Sequence, residues 1–309
     1  MNPNQHMLLA LILATSLAQC VPARWFTDDP SSLELLENHP INCLLLESVH
    51  WSSSFCVRAH EKGRNVLAVI RPGQPLVERI RQAKQLGFDG IVLEGRFGAN
   101  ERDQARSLAS ELGLQFVLIG ARHEMDLTGR DPVIGTFQTV WPGIHLAEDG
   151  AAKAAPTGAP WIDSNGGFIR YVRSLTPSAI WLSGRPPRQA VVPLIRYLQA
   201  IHDSAVVGAW WVLELDDDFR QRLLAGSTSG LEDWRRLGEH IRYWLEHAEW
   251  RDYEPYGQFG LIHDRADGAL LQGGIIDMLV ARHIPLRVIP PARLSADVFR
   301  GLRMVLNVN

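Results

Sequence analysis

The chain has 309 residues, 46% hydrophobic and 21% charged, which excludes a disordered tail or a collagen-like rod and suffices for a full barrel or two ordinary domains. Its formal net charge is -3 and its basic residues are scattered, so there is no electrostatic footprint for nucleic acid. No phosphate-loop, dinucleotide-loop, HExxH or GxSxG pattern occurs, and no Cys/His cluster has zinc spacing, so neither a cofactor nor a metal is expected.

Met7 to Ala18 (MLLALILATSLA) is an apolar run of signal-peptide length, too short to span a bilayer, with the small residues Ser16 and Ala18 spaced as a cleavage site asks. Residues 1–20 therefore read as a signal peptide, and the protein as exported, periplasmic or extracellular. The preceding MNPNQH carries no Lys or Arg. Leu17-Ala18-Gln19-Cys20 offers an alternative cut that would leave a lipid anchor on Cys20. Without Cys20, Cys43 and Cys56 remain as a pair that an oxidising compartment could join; two buried free thiols is the other reading.

After an extension over residues 21–39, short apolar runs alternate with amphipathic stretches. The runs are Asn42–Glu47, Val66–Ile70, Gly90–Glu94, Gln115–Ile119, Gly135–Val140, Ala159–Asp163, Ala179–Ser183 and Val206–Glu214. They do not alternate polar with apolar, as expected of parallel strands covered on both faces. Helical patterns lie between them: Pro75–Leu86, stopped by Gly87; Glu101–Leu112, with Asn100 as N-cap; and Val191–His202. Ser229 to Glu232 reads as a capping box opening a helix to about His247. Eight such units over residues 40–250 predict an α/β fold, a (β/α)8 TIM barrel, with an open doubly wound sheet as the runner-up. Past the linker RDYEPY, the runs FGLIH, LRVIP and RMVLNV with two intervening helical patterns predict a partial doubly wound α/β domain over 257–309.

In a barrel of this kind, active groups sit where strands end. Those ends carry Glu47, Glu94, the His123-Glu124-Asp126 cluster, Trp141, Asp163 with Asn165, and Glu214 with Asp216. Two carboxylates facing a cleft are what glycoside hydrolysis needs, so Glu94, Glu124, Asp163 and Glu214 are the catalytic candidates. Each has a structural alternative, capping the next helix or pairing with one of the abundant arginines. Trp51, Trp141 and Trp161 are candidate platforms for sugar rings, with Asn165 and Asp216 as further substrate contacts. Asp217 and Asp218 read as caps of the following helix.

The strand-end acids, together with FGLIHD, IPLRVIPP and RMVLNVN in the tail, resemble β-galactosidases that carry a trimerisation domain. Those enzymes join a retaining (β/α)8 glycosidase barrel to a glutamine-amidotransferase-like domain. The resemblance implies a carbohydrate substrate or ligand, a scaffolding or oligomerising tail without a nucleophilic cysteine, and a homo-oligomer. Of the family's catalytic pair it gives a counterpart only to Glu124; Ser183 stands where the nucleophile would be. Two readings follow: an exported glycoside-hydrolase-like enzyme, or a non-catalytic barrel that binds a carbohydrate or a protein. Acids each locked to an arginine favour the second.

Overall fold

The computed structural model describes residues 17–142, 144–146, 152–154, 165–187, 190–253, 256–263, 275–280 and 282–308. Its main sheet opens with β1 (Pro22–Trp25), within the segment that the sequence pattern leaves as an extension. Four residues that start with proline and include a buried arginine give no apolar run, which is why this strand is invisible to hydrophobic patterning. β1 pairs in parallel with β2 (Cys43–Leu46). The sheet continues through β3 (Asn65–Ile70), β4 (Gly90–Glu94), β5 (Gln115–Gly120) and β6 (Val133–Thr136). A two-stranded antiparallel ribbon, β7 (Ile144–Leu146) and β8 (Ala152–Ala154), lies outside it. β6 then pairs directly with β9 (Ala179–Leu182), and β9 with β10 (Ala209–Trp211), giving eight parallel strands. The run 159–163, expected as the sixth strand, lies outside the described residues, and β6 and β9 are neighbours without it.

The chain just past β10 closes the circle. Leu213 bridges Ala23 in parallel, Arg24 N–H donates to the Leu213 carbonyl at 2.8 Å, and Leu213 N–H donates to the Pro22 carbonyl at 3.1 Å. The result is a (β/α)8-type barrel with β2, β3 and β4 buried along their whole length.

Helices α1 (Ser53–Glu61), α2 (Leu76–Leu86), α3 (Ala99–Glu111), α4 (Gly166–Leu175), α5 (Leu194–Ala205), α6 (Asp217–Leu224) and α7 (Thr228–Glu246) surround it. α2 stops where Gly87 turns left-handed at φ +87°, as its glycine forecasts. α3 starts earlier than Asn100 would set it, because the Glu101 carboxylate reaches back to Gly98 N–H at 2.7 Å. α7 likewise opens on Ser227, whose hydroxyl accepts from Gly230 N–H at 3.1 Å, not on Ser229. The β1–β2 and β5–β6 connections carry only 3-10 turns, Pro30–Leu36 and Arg122–Glu124. Among the described residues, no helix is long and apolar enough to cross a membrane. All three cysteines are buried free thiols, and it is Cys20, not Cys56, that neighbours Cys43.

A second, three-stranded parallel sheet follows, in the order β12 (Leu286–Ile289), β11 (Phe259–Ile262), β13 (Met304–Asn307). With residues 275–280 helical, it has a small core of its own: Leu261, Ile276 and Leu286. The stretch read as a helix over Ser295–Leu302 forms only a 3-10 turn, Ala296–Phe299. The sheet meets the barrel at α4. The Asp277 carboxylate accepts from Gly167 N–H at 2.8 Å, and His263 stacks on Tyr171 with ring centroids 4.5 Å apart.

At the foot of the barrel wall, His39 lies buried and face to face with Trp234, ring centroids 4.1 Å apart. Burial pushes its pKa down to about 3. An unfolded histidine titrates near 6.5, so below about pH 6.5 the unfolded chain gains a proton that the folded one refuses. This contribution to stability is complete above about pH 6.5 and falls away on acidification towards pH 3. Urea unfolding should therefore show a loss of about 1 kcal/mol per pH unit just below pH 6, and His39→Gln should flatten that slope.

Candidate active site at the barrel mouth

Arg24 sits on β1 and is only 6% exposed. Its neighbour Trp25 faces the helices, donating from Nε1 to Ser32 Oγ at 2.9 Å, so strand alternation sends Arg24 to the barrel interior. Three carboxylates converge on it from different strand ends. Its Nε donates to Glu214 at 2.8 Å, Nη1 to Glu47 at 2.7 Å, and Nη2 to Glu94 at 2.6 Å. Nη2 also reaches Ser183 Oγ at 3.2 Å, and that hydroxyl donates to the other Glu94 oxygen at 2.8 Å.

A second layer of arginines closes over this centre. Arg71, just past β3, contacts Glu47 at 2.5 Å and Glu94 at 3.1 Å. Arg185, past β9, donates to Glu47 at 2.9 Å. Three acids thus face three guanidiniums, and the cluster is neutral.

The electrostatics follow. Burial alone would raise the Glu94 pKa, but the Arg24 and Arg71 guanidiniums outweigh it and hold the carboxyl below its usual range. Glu47 is shifted the same way, burial again being overcome by Arg71, Arg24 and Arg185. Arg24 is held protonated more firmly than usual, since its three carboxylates outweigh the burial that would lower it. Both Glu47 and Glu94 are ionised, hydrogen-bonded acceptors at neutral pH. Neither resembles the protonated acid that glycoside cleavage requires.

Of the residues expected from sequence, Glu94 and Glu214 are brought together here, with Glu47. Glu124 lies in the turn after β5, 21% exposed, with its two oxygens 3.5 Å from Arg102 and from His123. Asp163 and Trp161 lie outside the described residues. Asp216 takes a structural role: it is the N-cap of α6, accepting from Phe219 N–H at 3.1 Å and from the buried Tyr197 hydroxyl at 2.8 Å, with Asp217 and Asp218 following in the first turn. Trp141 is buried, not a platform. Its Nε1 holds the Arg185 carbonyl at 2.8 Å, and its ring packs edge-on against Trp211 and Tyr197. Trp51 is sandwiched between Phe88 and the Arg79 guanidinium. Asn165 ties down the chain at Val140 through both of its amide atoms.

Asp126, the last member of the His123-Glu124-Asp126 cluster, is bound instead to Thr128 N–H and Arg130. Among the described residues, no group of three or more His, Cys, Asp or Glu is placed to hold a metal ion. Sequence reasoning missed Arg24, Arg71 and Arg185. An arginine directly after an apolar run, as in Val66 to Arg71, was the available signal.

Fold and site together define a parallel (β/α)8 barrel with a neutral arginine–glutamate cluster at the C-terminal ends of its strands. Known proteins add a likeness of fold. No family model and no curated protein matches the chain. Among solved structures, it is similar to the glycoside hydrolase domain of PelA from Pseudomonas aeruginosa, at 16% identity over 62% of this chain and 93% of that one, with a TM-score of 0.40. It is also similar to a mutant tryptophan synthase alpha-subunit from the hyperthermophile Pyrococcus furiosus, at 9% identity over 70% and 92%, again with a TM-score of 0.40.

Removing Arg24 tests that mouth directly. Arg24→Met should destabilise the fold by about 3–5 kcal/mol at pH 7, because three clustered carboxylates then face two guanidiniums and the buried Glu94 keeps only Arg71 as a counter-ion. The depressed carboxyls contribute above the unfolded glutamate value of about 4.3, and their contribution is lost as pH falls through their folded values. The gap between wild type and Arg24→Met in urea unfolding should therefore narrow below about pH 4.

Proposed function

We propose that this protein is a glycoside-hydrolase-like barrel that binds a neutral, hydroxyl-rich carbohydrate at its mouth without cleaving it. The Arg24 cluster carries this reading. It uses the strand-end acids as ion-pair partners, and its three-against-three charge balance favours neither an anionic nor a cationic ligand. Glu47 and Glu214 stay a quarter and a fifth exposed and Arg185 about half exposed, so carboxylate acceptors and guanidinium donors remain available to sugar hydroxyls.

A hydrolytic reading has one observation in its favour. Glu94, kept ionised and accepting from Ser183, is in the state that a nucleophile or water-activating carboxylate needs. Glu124 or Asp163 would then have to supply the proton. Export is proposed on the apolar Met7–Ala18 run: a cut after Ala18 falls ahead of β1, which begins at Pro22, and so leaves every barrel strand whole. Lipidation at Cys20 is the competing fate. For the C-terminal sheet we propose a scaffolding, amidotransferase-like role, supported by its parallel β12-β11-β13 order, in the assembly of a homo-oligomer.

A panel of neutral oligosaccharides screened by calorimetry and for reducing-end release separates these readings. Binding without release, weakened about tenfold in Arg185→Ala through loss of a charge-assisted contact, is the expected result. Release that disappears in Glu124→Gln or Asp163→Asn would establish the hydrolase instead. N-terminal sequencing of protein from the native host should begin at Gln19; a retained Met1 would remove the export reading.

A further inference from the structure

We propose that Cys20 and Cys43 form a disulfide that fastens the chain entering β1 to β2. The placement is made by the backbone. Val21 N–H donates to Asn42 Oδ1 at 2.7 Å, Asn42 N–H donates to the Val21 carbonyl at 3.3 Å, and Pro22 is the register partner of Cys43. This sets the Cys20 thiol beside the Cys43 thiol, close enough for each to shift the other's titration, while Asn65 Nδ2, at the start of β3 and the register partner of Cys43, donates to Cys20 Sγ at 3.7 Å. Both cysteines are fully buried.

In the docked state the two thiols are unequal. The neighbouring Cys43 thiol holds the Cys20 thiol below its ordinary value, whereas burial holds Cys43 well above it. Once the segment before β1 undocks, Cys20 is the solvent-exposed thiol of the pair and supplies the attacking thiolate, while Cys43 stays in β2. It attacks one sulfur of an external disulfide, of the oxidised-glutathione or protein disulfide-donor class, expelling one donor thiolate and leaving a mixed disulfide. Cys43 then gives its proton to solvent, attacks the Cys20 sulfur and expels the second donor thiolate. Two protein thiols lose two electrons and two protons in all, and the donor disulfide becomes two thiols.

Because both side chains are buried, exchange takes place while the segment before β1 is undocked, during folding or a local opening. The bond would close the loop from residue 20 to residue 43, which contains β1 and Arg24. Cys56 is an internal control, since burial pushes its thiol up to about 12 and keeps it unreactive. The inference does not depend on whether the mouth binds or cleaves a sugar.

The test is thiol mapping of the purified full chain, reduced and then equilibrated in a buffer of oxidised and reduced glutathione. After alkylation under denaturing conditions, mass spectrometry should show a linked Cys20–Cys43 peptide pair and Cys56 as the one alkylated thiol. The oxidised protein should melt on the order of 5 °C above the reduced protein, and Cys20→Ser should abolish the difference. That variant lies outside the barrel strands, and the mapping itself needs no variant. Three alkylated thiols after oxidation, a disulfide that includes Cys56, or host protein whose Cys20 is absent or lipidated would each overturn the proposal.

Discussion

Burying a guanidinium costs several kcal/mol of lost hydration unless carboxylates replace the water around it. Arg24 meets that condition with Glu47, Glu94 and Glu214, and each acid comes from a different place in the barrel: the end of β2, the end of β4 and the chain past β10. One side chain on β1 therefore fixes the mutual positions of several strand ends, and the second-layer Arg71 and Arg185 follow because Glu47 and Glu94 have lone pairs left to satisfy. Side chains that look like separate candidates along the sequence become a single electrostatic unit in space. An acid within such a unit cannot be assigned chemistry on its strand-end position alone.

Most of the barrel was legible in the sequence wherever burial on both faces wrote an unbroken apolar run. β2, β4, β9 and β10 fall within the runs read as strands, β3 and β5 exceed theirs by one residue, and α2 ends at its glycine. β1 was lost because the residue that matters most in it is charged, and a pattern built on hydrophobicity discards such a residue. The described sheet reaches eight strands by including β1, while the run 159–163 lies outside the described residues. At the mouth, Glu94 and Glu214 stand out in the sequence because acids at strand ends are conspicuous. Their arginine partners, and the structural duty of Asp216, depend on contacts between segments far apart in the chain, which no local pattern encodes.

The tryptophans show the same limit. Trp51 and Trp141 stand near strand ends, as ligand platforms would, yet one is covered by Arg79 and Phe88 and the other is spent holding the Arg185 carbonyl. Trp141 nonetheless serves the mouth indirectly. By fixing the backbone of Arg185, it sets where that guanidinium meets Glu47. A similar economy joins the two sheets, where Asp277 both belongs to the C-terminal unit and satisfies an amide at the first turn of α4.

The pairing of β1 with Leu213 also orders events in time. The first described strand of the barrel finds its second neighbour about 190 residues later, so the largest loop-closure entropy among the described strands attaches to this one seam. A chain delivered from its N-terminus exposes β1 first and cannot complete the pairing until α5 and β10 have followed. Until then Arg24 keeps its water, Glu214 has not arrived, and the open edge of β1 offers unpaired amides to any passing strand. Closure of the seam and desolvation of the charge cluster are thus the same late step, and the charge on β1 guards the open edge against mispairing in the interval.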